Sequence, residues 1–189
     1  MASDSELREL LSLHGEVASQ GPDGWRGPYS LPEPVLEFYR SIGPVSINIE
    51  GYGNPYYLPS LAELSDFQVG YRVDGNTGER LDDWLDSWTV VADEAGDPFI
   101  FDASSGKVLL AVHGQGSWDP YPLFPDLRTM AGSLAAIGRV VVDAGADLCD
   151  DDCFIQEQHL EAALKHVQSF LGSETKALEV LSILGWSED

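Results

Sequence analysis

Between Trp88 and His113 three apolar runs follow one another, with only short glycine-containing turns between them. The runs are Trp88-Thr89-Val90-Val91-Ala92-Asp93, Pro98-Phe99-Ile100-Phe101-Asp102 and Lys107-Val108-Leu109-Leu110-Ala111-Val112-His113. They have strand length and are rich in β-branched and aromatic residues. Glu94-Ala95-Gly96-Asp97 and Ala103-Ser104-Ser105-Gly106 supply the turns. Strands joined this closely form an antiparallel meander, and the remaining chain must fold around that sheet.

The flanking sequence has mostly helical periodicity. Ser3 and Glu6 are spaced as a capping box and open an amphipathic helix over residues 4–19, with Leu7, Leu10, Leu11, His14 and Val17 on one face. Gly21-Pro22-Asp23-Gly24 breaks it. A second helix lies within Leu31 to Gly43, with prolines in its first turn and Val35, Phe38, Tyr39 and Ile42 as its apolar stripe. Val45, Ile47 and Ile49 then alternate with Ser46, Asn48 and Glu50 as a half-buried strand. A turn over 51–55 leads to a short strand, Tyr56-Tyr57-Leu58, and Ser60 to Leu64 reads as one capped helical turn. Residues 67–73 fit helix and strand equally well.

Beyond the meander, a loop over 114–120 precedes a helix over 126–144, capped by Asp126 and lined by Leu127, Met130, Leu134, Ile137 and Val141. An acidic loop, Asp147 to Asp152, separates it from two further helices. One spans about 156–171 with Leu160, Leu164, Val167 and Leu171 inward. The other spans about 174–184 with Leu178, Leu181 and Leu184 inward. Helices, then strands, then helices predict an α+β fold, an antiparallel sheet with N-terminal and C-terminal helices packed against it. No Pro-, Gly- or Ser-rich linker interrupts the chain, so residues 1–189 read as one domain.

Charge limits the function. The chain carries 32 acidic and 10 basic residues, a formal net charge of −22. Such a surface repels phosphate backbones and anionic lipid headgroups, which argues against nucleic acid and membrane as partners. It attracts basic proteins and can raise their association rates by roughly 10- to 1,000-fold. Met1-Ala2-Ser3-Asp4-Ser5-Glu6 lacks the basic-then-apolar pattern of a signal peptide. No apolar run approaches the roughly 20 residues of a membrane helix. A cytoplasmic setting is the expectation.

Several residues are candidates for chemistry. Between residues 74 and 102 every charged residue except Arg80 is acidic, and Asp93, Glu94, Asp97 and Asp102 gather around one hairpin. They suit an interaction rim, and equally the turn chemistry that Asp commonly serves. The alternating oxygen ligands of a calcium loop are absent. Cys149 and Cys153 have a spacing that zinc sites permit. However, His159 and His166 lie seven apart on one helix, roughly 10.5 Å along its axis, so free thiols and no metal are expected. His113 ends a strand and, with Asp119, offers a hydrolase alternative, but no Gly-x-Ser-x-Gly elbow accompanies it. Gly114 and Gly116 are too few for a dinucleotide fingerprint, and no cofactor is expected. Tyr52, Tyr56, Tyr57, Trp84 and Trp118 lie in or beside loops, as binding hot spots or as plugs of the sheet's end.

Three segments resemble the SUKH superfamily, which includes bacterial immunity proteins and a yeast cell-wall-synthesis regulator. The first is the helix Leu31-Pro32-Glu33-Pro34-Val35-Leu36-Glu37-Phe38-Tyr39 leading to Ile42-Gly43-Pro44. The second is Trp88 to Asp102 centred on Gly96-Asp97-Pro98-Phe99-Ile100-Phe101-Asp102, and the third is Gly106-Lys107-Val108 running into His113. The likeness covers roughly 28–142, within a core of about 28–144. The helix at 126–144 matches the family's Ser-Phe pattern only approximately, through Gly132-Ser133-Leu134-Ala135, and residues 145–189 form an extension. The resemblance implies a protein-binding module, an immunity protein that occludes a basic cognate toxin, nucleases being frequent targets of such proteins. A regulatory or scaffold subunit that binds another protein is the alternative. The expected contacts are Asp93, Glu94, Asp97, Trp118, Asp119 and Tyr52, with the sheet face and acidic loops clamping the partner. Oligomeric state is left open.

Overall fold

The computed structural model describes residues 3–187. Six strands form one sheet in chain order: β1 (Ile47–Ile49), β2 (Tyr56–Leu58), β3 (Trp88–Glu94), β4 (Asp97–Asp102), β5 (Lys107–Leu110) and β6 (Tyr121–Phe124). Each pairs antiparallel with the next. With the α-helices α1 (Asp4–Ser12), α2 (Glu33–Ser41), α3 (Leu127–Ala144), α4 (Glu157–Leu171) and α5 (Glu174–Ile183), the fold is α+β.

The meander lies where its sequence put it, with one shortening and one addition. The third strand stops at Leu110, not His113, because Pro98 opposite has no N–H to continue the ladder. Ala111 makes a last bond to the Pro98 carbonyl at 3.2 Å. β6 is an unexpected strand. It contains Pro122, and only its second half, Leu123 and Phe124, is buried. A bulge in β3 between Val90 and Ala92 lets the consecutive residues Val91 and Ala92 both join the core beneath the helices.

Two apolar clusters cover the two faces of the central strands. Val91, Ala92, Phe99, Phe101, Val108 and Leu110 pack under the helices. Trp88, Val90, Ile100, Leu109 and Ala111 face the other way, beneath Trp84, Phe67, Tyr71, Leu81 and Trp118. The segment over 61–87 that forms this second cover is mostly turns, with one 3₁₀ turn at Asp66–Gln68. Beyond that 3₁₀ turn neither α-helix nor strand forms over 67–73; the stretch completes β3 instead. Since β2 pairs with β3 only at Glu94 and Asp93, Val90 has no strand neighbour on that side. The buried Gln68 amide takes its place, accepting from the Val90 N–H at 3.0 Å and donating to the Val90 carbonyl at 2.9 Å. Arg72 and the Trp84 indole donate to the Trp88 carbonyl at 3.1 and 3.2 Å.

The first helix is shorter than its periodicity predicts. It ends at Ser12, and residues 16–18 instead run beside residues 43–45. Val45 N–H bonds the Glu16 carbonyl at 3.0 Å and Ala18 N–H the Gly43 carbonyl at 2.8 Å. This crossing requires Gly43, whose φ is +68° and whose Cβ, if present, would lie 1.8 Å from the Ala18 carbonyl oxygen. Leu7 and Leu11 are buried as expected, while His14 reaches the Ala135 carbonyl at 2.9 Å from outside the helix. α3 is the central helix. Asp126 caps it by accepting from Thr129 N–H at 2.8 Å, and its buried side chains include Met130, Leu134 and Ile137. α4 packs on α3, and α5 on α4. Ala177, Val180 and Leu181 of α5 and Leu184 at its end are buried; Leu178 points outward at 51% exposure. Among the described residues no helix is long and apolar enough to cross a membrane.

Candidate functional site

In an up-and-down sheet alternate connections share an end. The β1–β2, β3–β4 and β5–β6 connections therefore meet at one end, and the β2–β3 and β4–β5 connections at the other. All six expected contacts fall at the first end: Tyr52 in the β1–β2 loop, Asp93, Glu94 and Asp97 at the β3–β4 turn, and Trp118 and Asp119 in the β5–β6 loop. The loop between α3 and α4 joins them, because the Tyr52 hydroxyl donates to the Cys153 carbonyl at 2.7 Å. That loop adds Asp150, Asp151 and Asp152, and none of these four loops contains a lysine or arginine. Arg139 pairs with Asp143 near the end of α3, and other positive charges lie elsewhere. Arg128 pairs with Asp4, and Arg40 with Glu33 and Glu37. Lys107 and Lys176 line a groove beside Phe124 and Pro125.

At the β3–β4 turn the carboxylates crowd one another. Glu94 lies opposite Asp97 and, on its other side, opposite Tyr56. Burial first, then the charges of Asp97 and Asp93, push Glu94 up to about 7. Burial also raises Asp93, against the pull of its hydrogen bond from Gly96 N–H at 3.1 Å. Asp97 has a partner. It accepts from the His113 backbone N–H at 2.7 Å, and the His113 ring Nδ1 lies 2.6 Å from the same oxygen. Burial raises Tyr71 to about 12, and its hydroxyl donates to the Gly96 carbonyl at 3.2 Å. Asp102 sits at the opposite end of β4, where it accepts from Ser104 and Ser105 as an ordinary turn residue.

The aromatic candidates divide. Trp118 is half-buried, 5.4 Å from the Tyr71 ring and 5.9 Å from the Trp84 ring. Trp84 and Tyr56 are fully buried. Tyr57 is half-buried and donates to Glu63 at 2.8 Å. Tyr52 is half-buried and lines an open depression of about 420 Å³. Because both faces of the central strands are covered, the flat sheet surface expected to clamp a partner is occupied by the molecule's own side chains; the loops remain.

For the hydrolase alternative, His113 is exposed and its carboxylate neighbour is Asp97. Among the described residues no hydrogen bond links His113 to Asp119, nor to any Ser, Thr or Cys side chain. Cys149 is half-buried and Cys153 exposed; His159 bonds the Asp147 carbonyl, and His166 lies in a groove between α1, α3 and α4. Among the described residues no three His, Cys, Asp or Glu groups are arranged to hold a metal ion. Sequence reasoning missed the part the α3–α4 loop plays at this end. Its exposed Phe154 beside three aspartates was the available signal. Compared with protein-family models, with curated proteins and with solved structures, the chain matches none.

Proposed function

We propose that this chain is a protein-binding module that recognises a basic protein with one acidic end and neutralises or regulates it by covering its surface. The observation carrying this reading is the gathering at one end of the sheet of the Asp93, Glu94 and Asp97 carboxylates, Asp119 and the Asp150–Asp152 run, in loops that contain no Lys or Arg. The raised Glu94 supports it: burial first, and then the charges of Asp97 and Asp93, disfavour its ionised form, and a nearby cation favours that form. Such a field speeds encounter and selects partners by charge. The SUKH-like segments make an immunity protein, with a basic toxin as partner, the specific form of this proposal. A cytoplasmic setting, and a protein in place of nucleic acid as the target, belong to the same reading.

Affinity capture with two baits tests it: the full chain, and a variant carrying Asp119→Asn, Asp151→Asn and Asp152→Asn. None of these three side chains makes a hydrogen bond among the described residues, so the loops keep their shape. The wild-type bait retains basic proteins that elute between about 0.1 and 1 M salt, as the screening length falls from about 10 to 3 Å. The variant retains several-fold less. Equal retention by both baits, or capture that ignores salt, refutes the proposal.

A further inference from the structure

Phe154 is 65% exposed, the highest value among the large apolar side chains described. Its exposure is not a consequence of a loose loop. Asp150 Oδ1 accepts from the N–H groups of Asp152 and Phe154 at 2.9 and 3.0 Å. Asp150 N–H donates to the Phe154 carbonyl at 2.9 Å, and Cys153 N–H donates to the Asp150 carbonyl at 3.0 Å. Cys149 bridges to Ile155, and Tyr52 ties the Cys153 carbonyl to the β1–β2 loop. A tight, hydrogen-bonded hairpin thus holds a phenyl ring out into water.

The ring forms one side of the depression of about 420 Å³ that Tyr52, Ile155 and Leu160 also line, with Asp150 and Glu157 among its carboxylates. That size falls within the range of ligand pockets, about 300–1,000 Å³. Asp150 Oδ2 makes no hydrogen bond among the described residues. Glu157 is exposed in the first turn of α4, where the helix dipole favours its charge. An apolar occupant would strip water from both carboxylates without compensation. A flat cation suits this mixed lining, since it combines a face that packs on aromatic rings with N–H groups that pair with carboxylates.

We infer that this depression is a receptor for an arginine side chain of the basic partner. The inference rests on the proposed protein-binding function and identifies the residue type that anchors it. Lysine is the poorer occupant, since a compact ammonium neither stacks nor presents a fork of donors.

Fluorescein-labelled hexaarginine and hexalysine, titrated into the full chain by anisotropy and by amide shifts, test it. Wild type binds hexaarginine about two- to fivefold more tightly than hexalysine, with the largest shifts at Tyr52, Phe154 and Ser187. Phe154→Ala equalises the two peptides and leaves the unfolding midpoint unchanged, as expected for an exposed ring. Phe154→Trp restores or widens the arginine preference, because indole is the best cation–π face. If wild type binds both peptides equally, or Phe154→Ala keeps the preference, the receptor is refuted while the acidic end stands. If neither peptide binds at about 0.05 M salt, both readings fall.

Discussion

Replacing Glu94 by Gln stabilises the protein at alkaline pH and does little at acid pH. In the fold, burial and the charges of Asp97 and Asp93 raise this carboxyl from the ordinary glutamate range to about 7. A group whose folded pKa is raised contributes stability fully below its unfolded value. That contribution is lost as pH rises through the folded one. The window therefore runs from about pH 4.5 to about 7. At 1.36 kcal/mol per pKa unit the full shift corresponds to a ceiling of about 3 kcal/mol. Glu94 is half-exposed, so water screens much of this, and about 1–2 kcal/mol remains. Glutamine mimics the protonated form in shape and never ionises. Urea unfolding of wild type and Glu94→Gln at pH 5, 6, 7 and 8 isolates the effect from the many other carboxylates, which titrate equally in both. The two proteins should differ least at pH 5, near the start of the window, and the variant should be about 1–2 kcal/mol more stable at pH 8, or about 2–8 °C in Tm. A difference that does not vary with pH, or a variant less stable at pH 8, would overturn the raised ionisation of Glu94 by burial and its acidic neighbours.

Three further outcomes follow from packing and capping. Asp126→Ala removes the acceptor for Thr129 N–H at the start of α3 and lowers stability by about 1 kcal/mol, read as a lower denaturation midpoint. Gly138→Ala places a methyl group 2.3 Å from Ile49 Cγ2 and 3.1 Å from the Glu50 carbonyl oxygen. Despite alanine's better helix propensity it costs about 1–2 kcal/mol in urea unfolding. Trp118→Ala uncovers Tyr71 and Trp84 and costs about 2 kcal/mol, less than the roughly 3–5 of a fully buried ring. Acrylamide quenching of the remaining tryptophans should rise with it.

The elements legible in the sequence are those whose pattern and punctuation agree. The meander and α3 are of this kind, since strand length, turn glycines, apolar stripe and cap all point the same way. β6 was not legible because Pro122 and the exposed Tyr121 erase its alternation, and it exists through pairing with β5. Residues 14–18 keep a helical stripe, yet backbone bonds to residues 43–45 take them out of the helix. In α5 the leucine spacing held for Leu181 and Leu184, both buried, and failed at Leu178, which is exposed while Ala177 is buried. At the acidic end, the hairpin carboxylates could be named from the sequence. Their union with Tyr52 and the 149–155 hairpin could not, because it depends on strand order and on the path of α3 back to that end.

β6 also shapes how this molecule meets its own copies. It is the terminal strand of the sheet, and Pro122 removes an amide donor from it while Pro125 follows directly after its last residue. Prolines on an edge strand disfavour its extension by a strand from another chain. A protein this rich in one sign of charge already resists self-association by repulsion; the prolines supply a safeguard that persists when salt or low pH has removed the repulsion.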